Sequence, residues 1–152
     1  MNCNEKYLKD NKDLDAATVS TLPAGPYSLR GAVVSGKGLG RRSGMPTANL
    51  QITPEMLIPK QGVYATITRI ENDGKKYYGL THIGVRPSVD ESPEVTVETY
   101  LFDFTGDLYS KVIETEFHLY IRETRKFESL DEVKAQVDAD AQTAKKYFNC
   151  VY

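Results

Sequence analysis

Two oxygen-bearing side chains stand two residues apart in the segment PTAN, at Thr47 and Asn49. In an extended chain, residues i and i+2 lie on one face, so the hydroxyl and the carboxamide can reach a single ligand. Mg²⁺ prefers oxygen ligands and often takes only one or two from the protein, together with substrate phosphates. The pair is therefore a candidate metal site. The alternative is that both side chains bond the local backbone in a turn.

A glycine-rich stretch leads into this pair. The segment GKGLGRRSGMPTANL, residues 36–50, carries Gly36, Gly38 and Gly40, followed by Arg41. It lacks the Gly-Lys-Ser/Thr of a P-loop, and Arg41 stands where the pattern G-x-G-x-x-G needs its third glycine. The residues alone leave two interpretations open: a loop whose backbone approaches phosphate groups, and a glycine-rich surface loop without a ligand.

Size and charge limit the classes of protein to consider. With 152 residues, 40% of them hydrophobic and 26% charged, the chain is long enough for one domain with a hydrophobic core. The net charge of -2 argues against a nucleic-acid partner bound through phosphate neutralisation. No apolar run could span a membrane, and the start lacks the apolar core of a secretory signal. We therefore expect a cytoplasmic monomer without a nucleic-acid or membrane partner.

The first residues differ in pattern from the rest of the chain. Residues 1–25 are polar with scattered apolar positions, and the boundary LPAGP brings two prolines and a glycine together. We predict a flexible N-terminal arm or linker remnant over 1–25 and one compact domain over 26–152.

Strand patterns dominate from Tyr27 to Ile121. GVYATITRI alternates between its two faces, and the Asp73-Gly74 pair after it is a strong turn signal because a tight hairpin needs positive φ. KYYGLTHIG reads as the return strand, and EVTVETYLFDF and KVIETEFHLYI are rich in β-branched and aromatic residues. Short strands joined by turns predict an all-β dominated fold, either an antiparallel barrel or a sandwich.

The period changes near the end of the chain and predicts one amphipathic helix over about 130–148. Ser129 and Glu132 have the spacing of a capping box. The apolar residues that recur every three to four positions, and that we expect to face the strands, are Leu130, Val133, Val137, Ala141, Ala144 and Phe148.

The glycine-rich stretch and the segments after it resemble a known family. GAVVSGKGLGRRSGMPTANL is similar to the opening motif of riboflavin kinases, G-x-V-x-x-G-x-x-x-G-R-x-x-G-x-P-T-A-N. The resemblance covers about residues 26–148 and implies an antiparallel, Greek-key-like β-barrel with one long C-terminal helix. The further matches are GVYA at 62–65, IGVRPS at 83–88, VETYLFDF at 97–104, GDLY at 106–109 and IRETRKFESL at 121–130.

Some positions depart from the family's usual residues, while Thr47, Asn49 and Glu98 match it. We expect the departures to affect substrate affinity more than the activity itself. The departing residues are His82, Ser88, Tyr100, Ser110 and Arg125.

Riboflavin kinases transfer the γ-phosphoryl group of ATP to the 5′-hydroxyl of riboflavin, giving FMN and ADP. The resemblance implies that Thr47 and Asn49 hold Mg²⁺ between the ATP phosphates. It also implies that the glycines before this pair let the backbone approach the phosphates, with Arg41 nearby, and that Tyr109 flanks the adenine or the loop. Positioning and charge neutralisation are what phosphoryl transfer mainly requires.

The resemblance makes Glu98 the base that deprotonates the attacking hydroxyl. On its strand Glu98 shares a face with Tyr100 and Phe102, whose rings could desolvate the carboxylate and make it a better base. Asp103 is the rival carboxylate. The alternative for Glu98 is an ordinary exposed glutamate on a strand.

The segment RETRKF would form a loop at the flavin end of the site. The resemblance implies that Arg122 and Arg125 meet flavin oxygens or the product phosphate and that Phe127 lines the ring pocket. The alternative is a solvated run of charges that leads into the helix.

Two alternatives concern the protein as a whole. In many bacteria this domain is half of a bifunctional enzyme, whose adenylyltransferase half needs a histidine motif in its own α/β domain. This chain has only His82 and His118, so we expect a kinase alone, as a short natural protein or an excised domain. The alternative function is a non-catalytic, flavin- or nucleotide-binding regulatory barrel. Glu98 together with the Thr47 and Asn49 pair favours the enzyme.

Overall fold

The computed structural model describes residues 27–34, 47–87 and 93–151. The arm predicted over 1–25, the glycine-rich residues 36–46 and Ser88 lie outside the described residues. The described parts form strands β1 (Tyr27–Val34), β2 (Ala48–Leu50), β3 (Gly62–Ile70), β4 (Lys76–Pro87), β5 (Pro93–Leu101) and β6 (Val112–Arg122), followed by helix α1 (Leu130–Val151).

The strands close into an antiparallel barrel in the order β1-β2-β5-β4-β3-β6. Strands β3, β4 and β5 are consecutive neighbours, and β6 returns to lie beside β3, which is a Greek-key arrangement. The predicted antiparallel, Greek-key-like barrel with a C-terminal helix is thus confirmed. The three-residue strand β2 closes the barrel between β1 and β5.

The connection between β3 and β4 contains the predicted turn. Gly74 has a φ of 75°, the left-handed conformation that the Asp73-Gly74 signal required. Asn72 also has a positive φ, of 69°, which asparagine tolerates better than most residues. The connection runs from Glu71 to Lys75 and is therefore longer than a two-residue turn.

Side chains fill the inside of the barrel because strand residues alternate between its two faces. Tyr64 is fully buried there, and its ring meets those of Phe117 and Tyr120 edge-on, each at a centroid distance of 5.1 Å. Leu29, Val97 and others complete the same cluster. Because side chains fill the interior, we expect ligands to bind on the outer wall or at the ends of the barrel.

Buried threonines join the strands within this interior. The Thr81 hydroxyl lies 3.0 Å from that of Thr66 and 2.9 Å from that of Thr99, so it links β3, β4 and β5. Thr68 and Thr115 form a second pair at 2.9 Å between β3 and β6. Each hydroxyl has a partner, so these polar groups are buried without the cost of an unsatisfied hydrogen bond.

Helix α1 packs on the outside of β3, β4 and β6. Ala144, Tyr147 and Phe148 of the helix are buried against a second apolar cluster that includes Val63 and Leu80. The Phe148 ring stacks on Tyr78 at a centroid distance of 4.6 Å. Within the described residues, no helix is both long and apolar enough to cross a membrane.

His118 of β6 lies beneath the helix. Its ring is 5.7 Å from Phe148 and 6.5 Å from Tyr147 between centroids, and its side chain is 6% exposed. Burial lowers the pKa of His118, although the Glu116 carboxylate 3.6 Å away acts in the opposite direction. His82 lies in β4, so both histidines occupy strands as the sequence predicted.

The start of α1 agrees with the sequence in part. The backbone N–H of Glu132 donates to the Ser129 hydroxyl over 3.2 Å, which confirms Ser129 as the helix cap. The Glu132 carboxylate accepts from the N–H of Glu128 instead of that of Ser129, so the reciprocal half of the box shifts by one residue. The prediction that Leu130 packs on the strands is wrong, since it is 50% exposed in the first turn of the helix.

Phe148→Ala should destabilise the protein by about 3–5 kcal/mol, because it removes a large buried ring and leaves a cavity under α1. Leu130→Ala is the matched control on the same helix and should change the free energy of unfolding by less than about 0.5 kcal/mol. Urea unfolding followed by circular dichroism measures both. Equal losses in the two variants would contradict the buried face assigned to α1.

Candidate active site

Strand β2 brings two of the predicted site residues together. In the pairing of β2 with β5, Asn49 lies opposite Glu98 and Ala48 lies opposite Thr99. Side chains that face each other across an antiparallel pair have Cβ atoms about 4.5–5.5 Å apart. The Asn49 carboxamide and the Glu98 carboxylate are therefore neighbours on one face, although they are far apart in sequence.

A third polar residue extends this pair to the next strand. His82 of β4 lies opposite Glu98, so Asn49, Glu98 and His82 form a line across β2, β5 and β4, which we call the outer row. The row faces outward because the flanking residues Ala48 and Val97 belong to the interior cluster. All three members of the row are half-buried.

Thr47 lies at the start of β2 and is exposed. Thr47 and Asn49 both offer neutral oxygens, while the described residues contain no cluster of three or more His, Cys, Asp or Glu side chains that could hold a metal ion. A donor set of this kind fits Mg²⁺ that takes most of its ligands from water and phosphate oxygens. Gly36, Gly38, Gly40 and Arg41 lie outside the described residues.

Aromatic side chains border Glu98 on its own strand. The ring of Tyr100, which is half-buried, lies 5.6 Å from that of Phe102, and Phe102 is buried against the helix side of the barrel. Lys145 of α1 places its Nζ 5.0 Å from the Phe102 ring centroid. The wall beside Glu98 is therefore apolar in the direction of α1, as the sequence suggested.

The rival carboxylate stands apart from the outer row. Strand β5 ends at Leu101, although the sequence predicted a strand that continues to Phe104. Asp103 has a φ of 57° and is exposed, so the chain leaves the extended conformation at this residue. Asp103 is therefore a turn residue beyond the end of the strand.

A buried ion pair joins the end of β6 to α1. The Arg122 Nε donates to both carboxylate oxygens of Asp140, over 3.1 and 2.9 Å, and Gln136 donates to the same carboxylate over 2.9 Å. Asp140 is 2% exposed. Burial raises the pKa of Asp140, while the hydrogen bond from Gln136 and the charge of Arg122 act in the opposite direction. Arg122, predicted to meet the flavin, is bound to Asp140 of the helix, and its contact with the flavin stays a prediction.

The loop after β6 gathers the other residues predicted at the flavin end. The Arg125 guanidinium lies 4.9 Å from the centre of the Phe127 ring, and that of Arg122 lies 5.7 Å from it. Arg125 also donates to the Gln136 side chain over 3.2 Å. Arg122, Arg125 and Phe127 are thus close together, with Arg125 the more exposed of the two arginines.

His82 connects the outer row to this loop. Its Nε2 lies 3.1 Å from the Thr124 hydroxyl. Burial lowers the pKa of His82, the charge of Glu98 raises it, and the charge of Arg122 lowers it. The family pattern marks His82 as a departure and implies no role for it in the site.

Sequence reasoning also missed Asp140 and Gln136. A signal was present, because Asp140 falls on the helix face that carries Val137, Ala141 and Ala144, where a carboxylate needs a buried partner. That partner is Arg122, which no local pattern could identify.

Tyr109 lies in the connection between β5 and β6. Its side chain is 55% exposed, and its backbone N–H donates to Asp107 over 2.8 Å in a local turn. A cavity of about 660 Å³ lies beside this turn, between it and the connection of β3 to β4, and Tyr109 does not line it. The lining includes Glu71, Lys75, Tyr77, Phe104, Asp107 and Lys111.

Comparison with known proteins gives consistent matches. A family model described as riboflavin kinase matches residues 24–148. The bifunctional riboflavin kinase/FMN adenylyltransferase of Haemophilus influenzae is 37% identical over 139 residues, which cover 91% of this chain and 44% of that protein. The chain thus spans less than half the length of this curated relative.

Solved structures show the same fold. A Streptococcus pneumoniae protein described as a macrolide-efflux protein has a TM-score of 0.76 at 30% identity, over 85% of this chain and 44% of that chain. The riboflavin kinase of Trypanosoma brucei has a TM-score of 0.58 at 22% identity, over 84% of this chain and 83% of that chain. At that identity the second likeness shows the fold alone.

Asp140→Asn should lower the free energy of unfolding by about 1.5–3 kcal/mol, since it replaces charge-assisted hydrogen bonds in a buried place. Asp138→Asn makes the same chemical change on the exposed side of α1 and should have little effect. Urea unfolding at neutral pH compares the two. A loss of the same size in both variants would show that Asp140 does not anchor Arg122.

Proposed function

The chain belongs to the riboflavin kinase family, and we propose that it transfers the γ-phosphoryl group of ATP to the 5′-hydroxyl of riboflavin, giving FMN and ADP. The observation that carries the proposal is the pairing of Asn49 with Glu98 across β2 and β5. It puts a neutral oxygen ligand suited to Mg²⁺ next to a carboxylate suited to proton abstraction. A protein that only binds flavin or nucleotide has no need of that carboxylate.

In the proposed reaction Glu98 accepts the proton of the attacking hydroxyl. Its half-buried position beside Tyr100 limits the water that competes for the carboxylate. Thr47 and Asn49 would hold Mg²⁺, which supplies neutralisation of the phosphate charge when it is bound. The chain's own contribution is to hold these side chains in register, and the short strand β2 provides that register.

We assign the flavin to the loop after β6. Phe127 offers an apolar ring, and Arg125 offers a guanidinium that can donate to flavin oxygens or to the product phosphate. Arg122 is bound to Asp140, so its proposed role is to fix this loop and the Phe127 ring from below.

We assign the phosphates of ATP to the glycine-rich segment, with Gly36, Gly38, Gly40 and Arg41 as proposed contacts. The segment leaves the barrel after Val34, and the Val33 carbonyl accepts from the N–H of Ser110 over 3.1 Å. This bond keeps the turn of Tyr109 close to the place where the segment starts. The adjoining cavity is the proposed site for the nucleoside, with Tyr109 at its approach.

The proposal extends to location and partners. We propose a cytoplasmic monomer whose partners are riboflavin, FMN, ATP and ADP, with Mg²⁺ as the metal. The net charge of -2 supports the proposal that the chain has no nucleic-acid partner.

Incubation with riboflavin and MgATP, followed by chromatographic separation of FMN, tests the activity, and Glu98→Gln tests its base. Gln keeps the size of Glu98 but cannot accept the proton, so kcat should fall by about 10²–10⁴-fold. Binding of riboflavin and MgATP should change far less.

Asp103→Asn is the matched control for Glu98→Gln. Asn tolerates the positive φ of this exposed turn, so the change removes a nearby carboxylate without backbone strain. Its kcat should stay close to that of the unmodified protein. Similar losses in the two variants, or no FMN from a folded protein that binds flavin, would refute the proposed catalysis.

Thr47→Val tests the metal ligands, because it removes the hydroxyl and keeps the branched shape. The KM for MgATP should rise by up to about tenfold, the equivalent of one lost polar interaction, and the variant should need more Mg²⁺ for half-maximal rate. Thr53→Val, just beyond β2, is the control. Normal turnover of Thr47→Val at low Mg²⁺ would make Thr47 an ordinary loop residue.

A further inference from the structure

Gln136 is a half-buried polar residue of α1 to which the proposed reaction gives no role. Its carboxamide lies between two charged side chains. The Oε1 atom accepts from Arg125 over 3.2 Å, and the Nε2 atom donates to Asp140 over 2.9 Å. Gln136 and Asp140 are four residues apart on a helix, which places them on the same face. Gln136 therefore connects the helix to the loop that carries Arg125.

The two contacts determine the orientation of the carboxamide. A guanidinium only donates hydrogen bonds, and a carboxylate that faces arginine accepts them. The carbonyl oxygen of Gln136 must therefore face Arg125, and its amide group must face Asp140. A glutamate in this position would put a second carboxylate beside Asp140, and a lysine would put a second cation beside Arg125. An uncharged side chain that both donates and accepts is what suits this position.

Asp140 is the buried end of this connection. It is 2% exposed and accepts from the Arg122 Nε with both oxygens, over 3.1 and 2.9 Å. A terminal guanidinium nitrogen of Arg122 also lies 2.9 Å from the carboxylate. These contacts hold the carboxylate in one place, so Gln136 donates to an acceptor that is itself fixed.

Arg125 is the exposed end of the connection. Its guanidinium lies 4.9 Å from the centre of the Phe127 ring. A long side chain in water adopts many rotamers, and ordering it costs conformational entropy. The bond to Gln136 restricts Arg125 to positions close to this ring. A guanidinium has five N–H donors, so one bond to Gln136 does not exhaust them and a ligand can still be bound.

We propose that Gln136 is a positioning residue of the flavin subsite: through its carboxamide, the buried Arg122–Asp140 pair holds Arg125 beside the Phe127 ring before the ligand arrives. The proposal rests on the proposed kinase function and adds a residue that acts through Arg125. An aromatic ring beside a positioned guanidinium suits a flat ring system that carries oxygen acceptors.

Positioning of this kind affects binding more than the chemical step. A side chain that is already held in its bound position saves the entropy that binding would otherwise cost. For one long side chain the saving corresponds to about 2–10-fold in affinity. Glu98, Thr47 and Asn49 lie on or beside β5 and β2 and make no contact with Gln136 that the proposal uses. We therefore expect a change in KM with little change in kcat.

Gln136→Met tests this role, because Met has nearly the same length and helix propensity but lacks the carboxamide. The KM for riboflavin should rise by about 2–10-fold with kcat nearly unchanged, and so should the Kd, measured by quenching of riboflavin fluorescence. Gln142→Met is the matched control on the exposed side of the same helix and should change neither constant. An unchanged Kd in Gln136→Met would overturn the proposal.

A double-mutant cycle shows whether Gln136 acts through Arg125. Arg125→Met should itself raise the Kd for riboflavin. Adding Gln136→Met to that variant should change the Kd by less than about twofold, because the side chain that Gln136 positions is already gone. If the two single effects multiply in full, Gln136 acts by another route and the proposal fails.

Nuclear magnetic resonance tests the positioning without any ligand. The Nε–H signal of Arg125 is assigned by its loss in Arg125→Met, and its heteronuclear Overhauser effect reports motion on the fast timescale. The group should become more mobile in Gln136→Met and stay as ordered in Gln142→Met as in the unmodified protein. Unchanged mobility would refute the positioning even in an active kinase, whereas the expected change in a folded protein that binds no riboflavin would refute only the proposed function.

Discussion

The filled interior of the barrel is the constraint that decides where ligands can bind. Tyr64 and Phe117 are fully buried in its centre, and threonine hydroxyls tie the strands together around them. Because side chains fill this interior, we expect polar residues with a chemical role on the outer wall or at the ends of the barrel. The outer row satisfies this condition on β2, β5 and β4, next to the wall that α1 covers.

The Arg122–Asp140 pair links the helix to the site. An ion pair in a buried place contributes little net stability when compared with apolar packing, because both charges lose their hydration. The contribution of the Arg122–Asp140 pair is to hold the guanidinium in one position. The Arg122 guanidinium is fixed between the helix and the Phe127 ring, so α1 determines the position of the loop after β6. The helix thus supports the barrel and also orders one edge of the site.

Local sequence patterns were sufficient to predict the strands and the helix. They did not predict which side chains from distant segments meet. Alternation and the Asp73-Gly74 signal predicted β3 and β4 well, and the helical period predicted α1. The sequence did not predict that β5 ends at Leu101. Asp103 turns the chain through a positive φ, and the β-branched and aromatic residues around it give no sign of that conformation. The site residues came from a family motif, whereas the contacts of His82 and Asp140 depend on partners distant in sequence. Spacing along one segment carries no information about such partners.

The order of the strands also bears on how the protein folds. Asn49 and Glu98 are about fifty positions apart, and bringing such distant segments together costs loop-closure entropy before any contact stabilises them. Local hairpins such as β3–β4 can form early, but the pairing of β2 with both β1 and β5 requires a nearly complete barrel. The outer row is complete only when β2, β5 and β4 are paired, so a chain that has formed the β3–β4 hairpin alone does not contain it. The three side chains of the row thus come together only after segments from distant parts of the chain have paired.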